Sequence, residues 1–294
     1  MKKRKTLQDL TIKDNFMFGA VMSVEENCKG FLEMVLGFPI ARVVVSKEKS
    51  MIYHPEYKGV RLDIYAEDAK HTHYNVEMQV ERKAALGKRS RYYQSQMDME
   101  LLLSGEDYSE LPDTYVIFIC DFDPFEEEKY RYTFKMNCKE SGQTNLEDGR
   151  TIVFLNTHGK NESEVPKELV TFLRYVKADL AESEEAFDDP YVEQLQKFIR
   201  KVKRSREMEE RFMIFEEMLK EEHAQGLEEG RREGLVEGCV STLKETLLLF
   251  LKKFGEVPNE ISEQIQLQQE TEVLKHWMKI AFQSETLDEF IQKM

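Results

Sequence analysis

Apolar positions change period several times along this chain. Phe16, Phe18, Val21 and Met22, then Phe31, Leu32, Val35 and Leu36, recur at helical spacing. Residues 9–37 therefore read as helical, with Asp14 placed to cap the start and Gly37-Phe38-Pro39 ending the run. Val43 to Val45 is a short β-branched strand. Over residues 60–80 the period falls to two. Val60, Leu62 and Ile64 alternate with Arg61, Asp63 and Tyr65, and Val76, Met78 and Val80 alternate with Asn75, Glu77, Gln79 and Glu81. Both segments predict strands with one buried face. A helix over 89–104 follows, then strands at 115–120, 130–136 and 151–155. Beyond Pro166 the pattern is helical to the end, with breaks at Ser183–Pro190 and Gly255–Pro258.

The two period-two segments specify their own pairing. An antiparallel hairpin centred on Lys70 puts Leu62 opposite Met78 and Ile64 opposite Val76, so apolar meets apolar. The same register sets Arg61 against Gln79, Asp63 against Glu77 and Tyr65 against Asn75. A slip of one residue would oppose a buried face to a polar one. Directly opposed residues have Cβ atoms about 5 Å apart, and two carboxylates that close repel unless a positive charge lies between them. Hard oxygen ligands suit Mg²⁺ or Mn²⁺. Gln79, two residues on from Glu77, points the same way.

Asp63, a gap of thirteen residues, and Glu77-Met78-Gln79 resemble the PD-(D/E)XK nuclease motif, with Gln in place of the usual Lys. The chain is similar to the Rpn family of recombination-promoting nucleases, also described as transposases. The opening helix behind Asp14, the segment Arg91-Tyr92-Tyr93-Gln94 and the Glu/Gly repeat in the tail fit that resemblance. It implies an α/β fold: a restriction-endonuclease-like core, with a mixed central sheet flanked by helices, and a helical C-terminal region. It also implies hydrolysis of DNA phosphodiesters, with Asp63 and Glu77 binding the metal, Asp14 as a further ligand from the first helix, and Gln79 orienting water or phosphate. Gln79 carries no charge, so the resemblance asks Arg61, Arg82 or Lys83 to supply it. Arg89, Arg91, Tyr93 and Gln94 complete the expected nucleic-acid surface.

Charge changes the picture in one respect. The chain of 294 residues carries a formal net charge of −14, and most of the excess falls after residue 160. Residues 1–160 hold 23 Lys and Arg against 26 Asp and Glu, which leaves the first part compatible with a polyanion. The expected division is a nuclease-like domain at 1–175 and an acidic helical region at 176–294. Within the latter, Gly226, Gly230, Gly234 and Gly238 form a repeat that reads as a homo-oligomer contact or a mobile linker. The missing Lys and the acidic tail leave a second class open, a degenerate nuclease fold serving as a binding or assembly module. RNA as substrate stays open too. Four scattered cysteines, no apolar run of about 18 residues and an opening MKKRK without a leader pattern predict a cytoplasmic protein with no membrane span. His71 and His73 read as a polar turn, and no Ser-His-Asp order, Walker loop or GxGxxG is present.

Overall fold

A computed structural model describes residues 5–51 and 60–294; the basic opening at 1–4 falls outside them. The chain divides into two compact units, Met1–Met213 and Ile214–Met294.

The first unit begins with two helices where the apolar pattern suggested one. Helix α1 (Asn15–Met22) is buried from Phe16 to Met22. Such all-round burial marks a core helix. After a break at Ser23–Val24, α2 (Glu25–Leu36) starts with Glu25 and Glu26 in its first turn, where acidic side chains suit the helix dipole. It ends at Gly37, whose φ of 78° is the left-handed geometry of a C-terminal cap.

The sheet follows. Its strands are β1 (Val43–Met51), β2 (Val60–Asp68), β3 (His73–Gln79), β4 (Thr114–Cys120), β5 (Arg131–Phe134) and β6 (Arg150–Asn156). Their spatial order is β1-β2-β3-β4-β6-β5. β2 runs antiparallel to both β1 and β3; β4 is parallel to β3 and to β6, and β5 closes the edge antiparallel to β6. The parallel step from β3 to β4 requires a crossover, and α3 (Leu86–Leu101) provides it. β1 is three times the length expected, because pairing with β2 runs from Val43 as far as Met51.

β3 corrects the expectation of a single buried face: every residue from His73 to Gln79 is buried. It lies between two strands, and α3 covers the face that carries the polar alternation. Beneath that helix Tyr65, Tyr93, Met97, Phe118 and Phe154 belong to one core cluster. The β2–β3 turn is built by Asp68, whose carboxylate accepts from the backbone N–H of Lys70 (2.8 Å) and Thr72 (3.0 Å) and from the Tyr74 hydroxyl (2.8 Å). Such a turn is what an Asp at this position favours.

The first unit extends past the expected boundary at 175. Helices α4 (Lys167–Lys177) and α5 (Pro190–Lys203) both belong to it. Asp189 caps α5 through the Val192 N–H at 2.9 Å, and Pro190 takes the first helical position. Tyr191 donates to the Asn27 carbonyl (2.7 Å) and Gln194 to the Asn27 side chain (2.8 Å), tying α5 to α2. The Phe212 ring meets Phe16 with centroids 5.2 Å apart.

Helix α6 (Arg206–Leu251) is continuous over 46 residues, and the division between the units falls within it. In the second unit α7 (Asn259–Leu267), α8 (Thr271–Gln283) and α9 (Leu287–Lys293) gather a core around Leu247, Leu251, Ile265, Leu274, Trp277 and Phe290. The four repeat glycines lie inside α6 and are exposed, with no atom within 4 Å of an added Cβ. They do not break the helix. Among the described residues, no helix is long and apolar enough to cross a membrane.

Candidate active site

The β2–β3 register is the one the alternation requires. Ile64 pairs with Val76, Tyr65 with Asn75, Ala66 with Tyr74 and Glu67 with His73. The ladder stops after Ile64 and Val76, short of the expected Leu62–Met78 and Arg61–Gln79 pairs. One residue further on, side chains take over from backbone. The Asp63 N–H donates to Glu77 Oε1 at 3.1 Å, and the Met78 N–H donates to Asp63 Oδ2 at 3.1 Å. Each carboxylate thus accepts from the backbone of the other strand, and both converge in the seam where the ladder opens.

Their surroundings differ. Glu77 is fully buried, whereas Asp63 is half-buried at the edge of the site. Burial pushes the Glu77 carboxyl well above the usual carboxylate range, and the negative charge of Asp63 pushes it further. The Asp63 N–H bond and the Arg89 guanidinium pull the other way without cancelling these effects.

Arg89 enters from the first turn of α3. Its Nη2 donates to Glu77 Oε2 (3.1 Å), its Nη1 to Gln79 Oε1 (3.0 Å) and its Nε to the Tyr93 hydroxyl (2.6 Å). Its guanidinium also lies over the Tyr93 ring, 4.9 Å from the centroid. Gln79 is held from its other end as well, because Nε2 donates to the Met78 carbonyl at 3.0 Å. Burial and the charge of Glu77 push the Tyr93 phenol up to about 12, so it stays protonated at neutral pH.

The other expected residues are distributed unevenly. Asp14 precedes α1 but is not gathered to Asp63 and Glu77. Its Oδ2 accepts from the Thr11 N–H (2.8 Å) and its Oδ1 pairs with Lys5 (2.6 Å). Tyr93 and Gln94 are buried, Gln94 against Thr114, and present no surface to a ligand. Arg61, Lys83 and Arg91 are exposed. Arg82 is exposed too, but its guanidinium is taken up by Glu126 (2.7 Å) and the Asp123 carbonyl (2.6 Å). His71 pairs with Glu67 and His73 with the Tyr65 hydroxyl, a polar turn rather than a shared site.

Two further residues shape the site without having been candidates for it in the sequence. Asn75 is wholly buried on the strand that carries Glu77, and its carboxamide atoms have no geometrically sound hydrogen bond. Phe118, on β4 beside Glu77 in the parallel register, stacks on Phe154 at 5.1 Å and floors the guanidinium of Arg89. Arg89 itself was expected from the sequence only as part of the nucleic-acid surface.

The donor set fits a hard divalent cation. Two carboxyl groups share one seam, the Gln79 oxygen lies beside them, and Asp63 is the less buried of the pair. Mg²⁺ commonly binds through one or two carboxylates while keeping several waters. Among the described residues no group of three or more His, Cys, Asp or Glu that could hold a metal ion is present.

Residues 12–228 match the family model described as PD-(D/E)XK nuclease family transposase. No curated protein and no solved structure matches the chain. The matched span holds the whole sheet, α1 to α5 and the convergent Asp63, Glu77 and Gln79, and covers well over half of the chain. On that match, the chain belongs to the PD-(D/E)XK nuclease family transposases.

Proposed function

We propose that this protein is a Mg²⁺-dependent DNA endonuclease that hydrolyses phosphodiester bonds in recombination or the movement of mobile elements. It would act in the cytoplasm, where its four free thiols stay reduced. The observation that carries the reading is the reciprocal clasp in which Asp63 and Glu77 each accept an N–H from the opposite strand. That clasp fixes two carboxyl groups side by side where β2 and β3 part.

Asp63 and Glu77 would hold Mg²⁺ or Mn²⁺, with Gln79 at its margin. Bound there, a divalent cation polarises a phosphate oxygen and lowers the pKa of a coordinated water. The chain supplies the rest. The two strands hold the carboxylates in position before substrate arrives, which is where electrostatic catalysis gains most. Gln79, pinned by Met78, orients the attacking water or the phosphate. The α3 cover and Phe118 keep bulk water from Glu77. Arg61, Lys83 and Arg91 are exposed near these elements and would hold the DNA backbone, contacts that position without reading sequence.

The test is nicking of supercoiled plasmid by the purified chain in Mg²⁺, beside an Asp63→Ala variant and an EDTA control. Cleavage by the wild type alone is expected. Equal nicking by both proteins would reject the assigned site. Binding of plasmid with neither cleavage nor Mn²⁺ uptake would favour a non-catalytic assembly module.

A further inference from the structure

We infer that Arg89 is an exchangeable cation of the active site. Before metal arrives its guanidinium bonds the Glu77 carboxyl group, and once a divalent cation takes that group Arg89 turns to the scissile phosphate. It thereby supplies the positive charge that Gln79 cannot. The inference rests on the nuclease reading above and adds to it a residue and a sequence of binding events.

Three observations carry it. First, the guanidinium is the positive group that bonds both Glu77 and Gln79, through separate nitrogens of one planar fork. Its Nη1 lies 3.0 Å from Gln79 Oε1, the end of the side chain that stands where the motif usually has Lys. Second, its salt bridge is lopsided. Glu77 is wholly buried, while the Arg89 side chain is 29% exposed, so the guanidinium has a path toward solvent and ligand that its partner lacks. Third, its anchor does not depend on Glu77. Nε is held by the Tyr93 hydroxyl, and the Tyr93 and Phe118 rings flank the guanidinium. Losing the Glu77 bond would therefore free Nη2 while Nε, in the same rigid plane, stays on Tyr93.

Charge balance drives the exchange. A doubly charged ion between Asp63 and Glu77 repels a guanidinium bonded to the same carboxylate. The phosphate that follows the metal offers oxygens in the planar, bidentate arrangement that Arg matches best. Arg61, Arg82 and Lys83, expected from sequence to make up for the missing Lys, fit this role less well. Arg82 is tied to Glu126 and Asp123, and Arg61 and Lys83 are exposed on the surface.

Arg89→Gln and Arg89→Lys, each checked for a native circular dichroism spectrum, separate this role from a structural one. Two readouts are needed: titration calorimetry with Mn²⁺ alone, and initial rates of plasmid cleavage in Mn²⁺. For Arg89→Gln the expected result is Mn²⁺ binding several-fold tighter than wild type, because a competing cation is gone, with cleavage slowed about 100-fold, the usual loss for one transition-state donor. Arg89→Lys should recover part of that rate. The inference is overturned if Arg89→Gln cleaves within about two-fold of wild type. It is equally overturned if Mn²⁺ affinity falls together with rate, since Arg89 would then merely hold the carboxylates in place. Should wild type bind no Mn²⁺ while Asp63→Ala behaves identically, the nuclease reading itself fails and the inference falls with it. A wild type that binds and cleaves beside unaltered Arg89 variants would sink the inference alone.

Discussion

Replacing Glu77 by Gln isolates the cost of keeping a carboxyl group in a dry seam beside a second carboxylate. Glu77 is fully buried, and its carboxyl is pushed from the ordinary 4.5 up to about 8, first by burial and then by Asp63. As pH rises past the ordinary value the unfolded chain releases this proton while the folded chain keeps it. Stability must then decline until the folded group also ionises. The contribution is fully present below about pH 4.5 and lost by about pH 8. At about 1.4 kcal/mol per pH unit the bound is roughly 5 kcal/mol. Asp63 shares the titration, so about 2–3 kcal/mol is the expected change. Gln keeps an oxygen to accept the Asp63 N–H and has no charge to bury. Urea unfolding in EDTA at pH 5 to 9 should show the wild type losing about 2–3 kcal/mol relative to Glu77→Gln across that range. The histidines His73 and His158, whose burial lowers their pKa, act with the opposite sign, but they are common to both proteins and cancel in the difference. Parallel curves for the two proteins would refute the reasoning, because Glu77 would then be ionised throughout.

Other outcomes follow from the same structure. Asp63→Asn should lower the Glu77 pKa by removing a neighbouring negative charge, and so flatten the wild-type pH profile while abolishing Mn²⁺ uptake in calorimetry; an unchanged profile would deny the coupling of the two carboxylates. Phe118→Ala should cost about 3–5 kcal/mol in urea unfolding, since the ring is wholly buried and stacked between Phe154 and Tyr93. Gly159→Ala should destabilise by about 1–3 kcal/mol, because the new Cβ would fall 2.6 Å from the Tyr130 nitrogen and 2.7 Å from its Cα. Gly226→Ala and Gly234→Ala, by contrast, meet only open space on α6, and each should raise helix stability by about 0.5–1 kcal/mol with a measurable gain in circular dichroism at 222 nm. A loss of self-association on making those alanines, read by sedimentation, would instead support the repeat as a contact between copies.

What the sequence determined was local. A period of two over residues 60–80, with apolar and polar positions in phase on both strands, left one sensible register, and the observed pairs from Ile64–Val76 to Glu67–His73 obey it. That register was enough to bring Asp63 and Glu77 together, because cross-strand distance follows from backbone geometry alone. The helical tail and the break at Gly255 were legible for a like reason: turn and cap residues act over a few positions. Contacts across long gaps were not legible. Whether the polar face of β3 met water depended on α3 crossing over it, and whether α5 joined the first unit depended on Asn27 meeting Tyr191 and Gln194, 164 and 167 residues away. Arg89 belongs to the same class. In one dimension it stands in a basic run, and only the crossover of α3 onto β3 aims its fork at Glu77 and Gln79. Short-range periodicity sets which residues can face one another along a strand. Which helix seals that face, and with what charge, is decided by packing the first unit around its sheet.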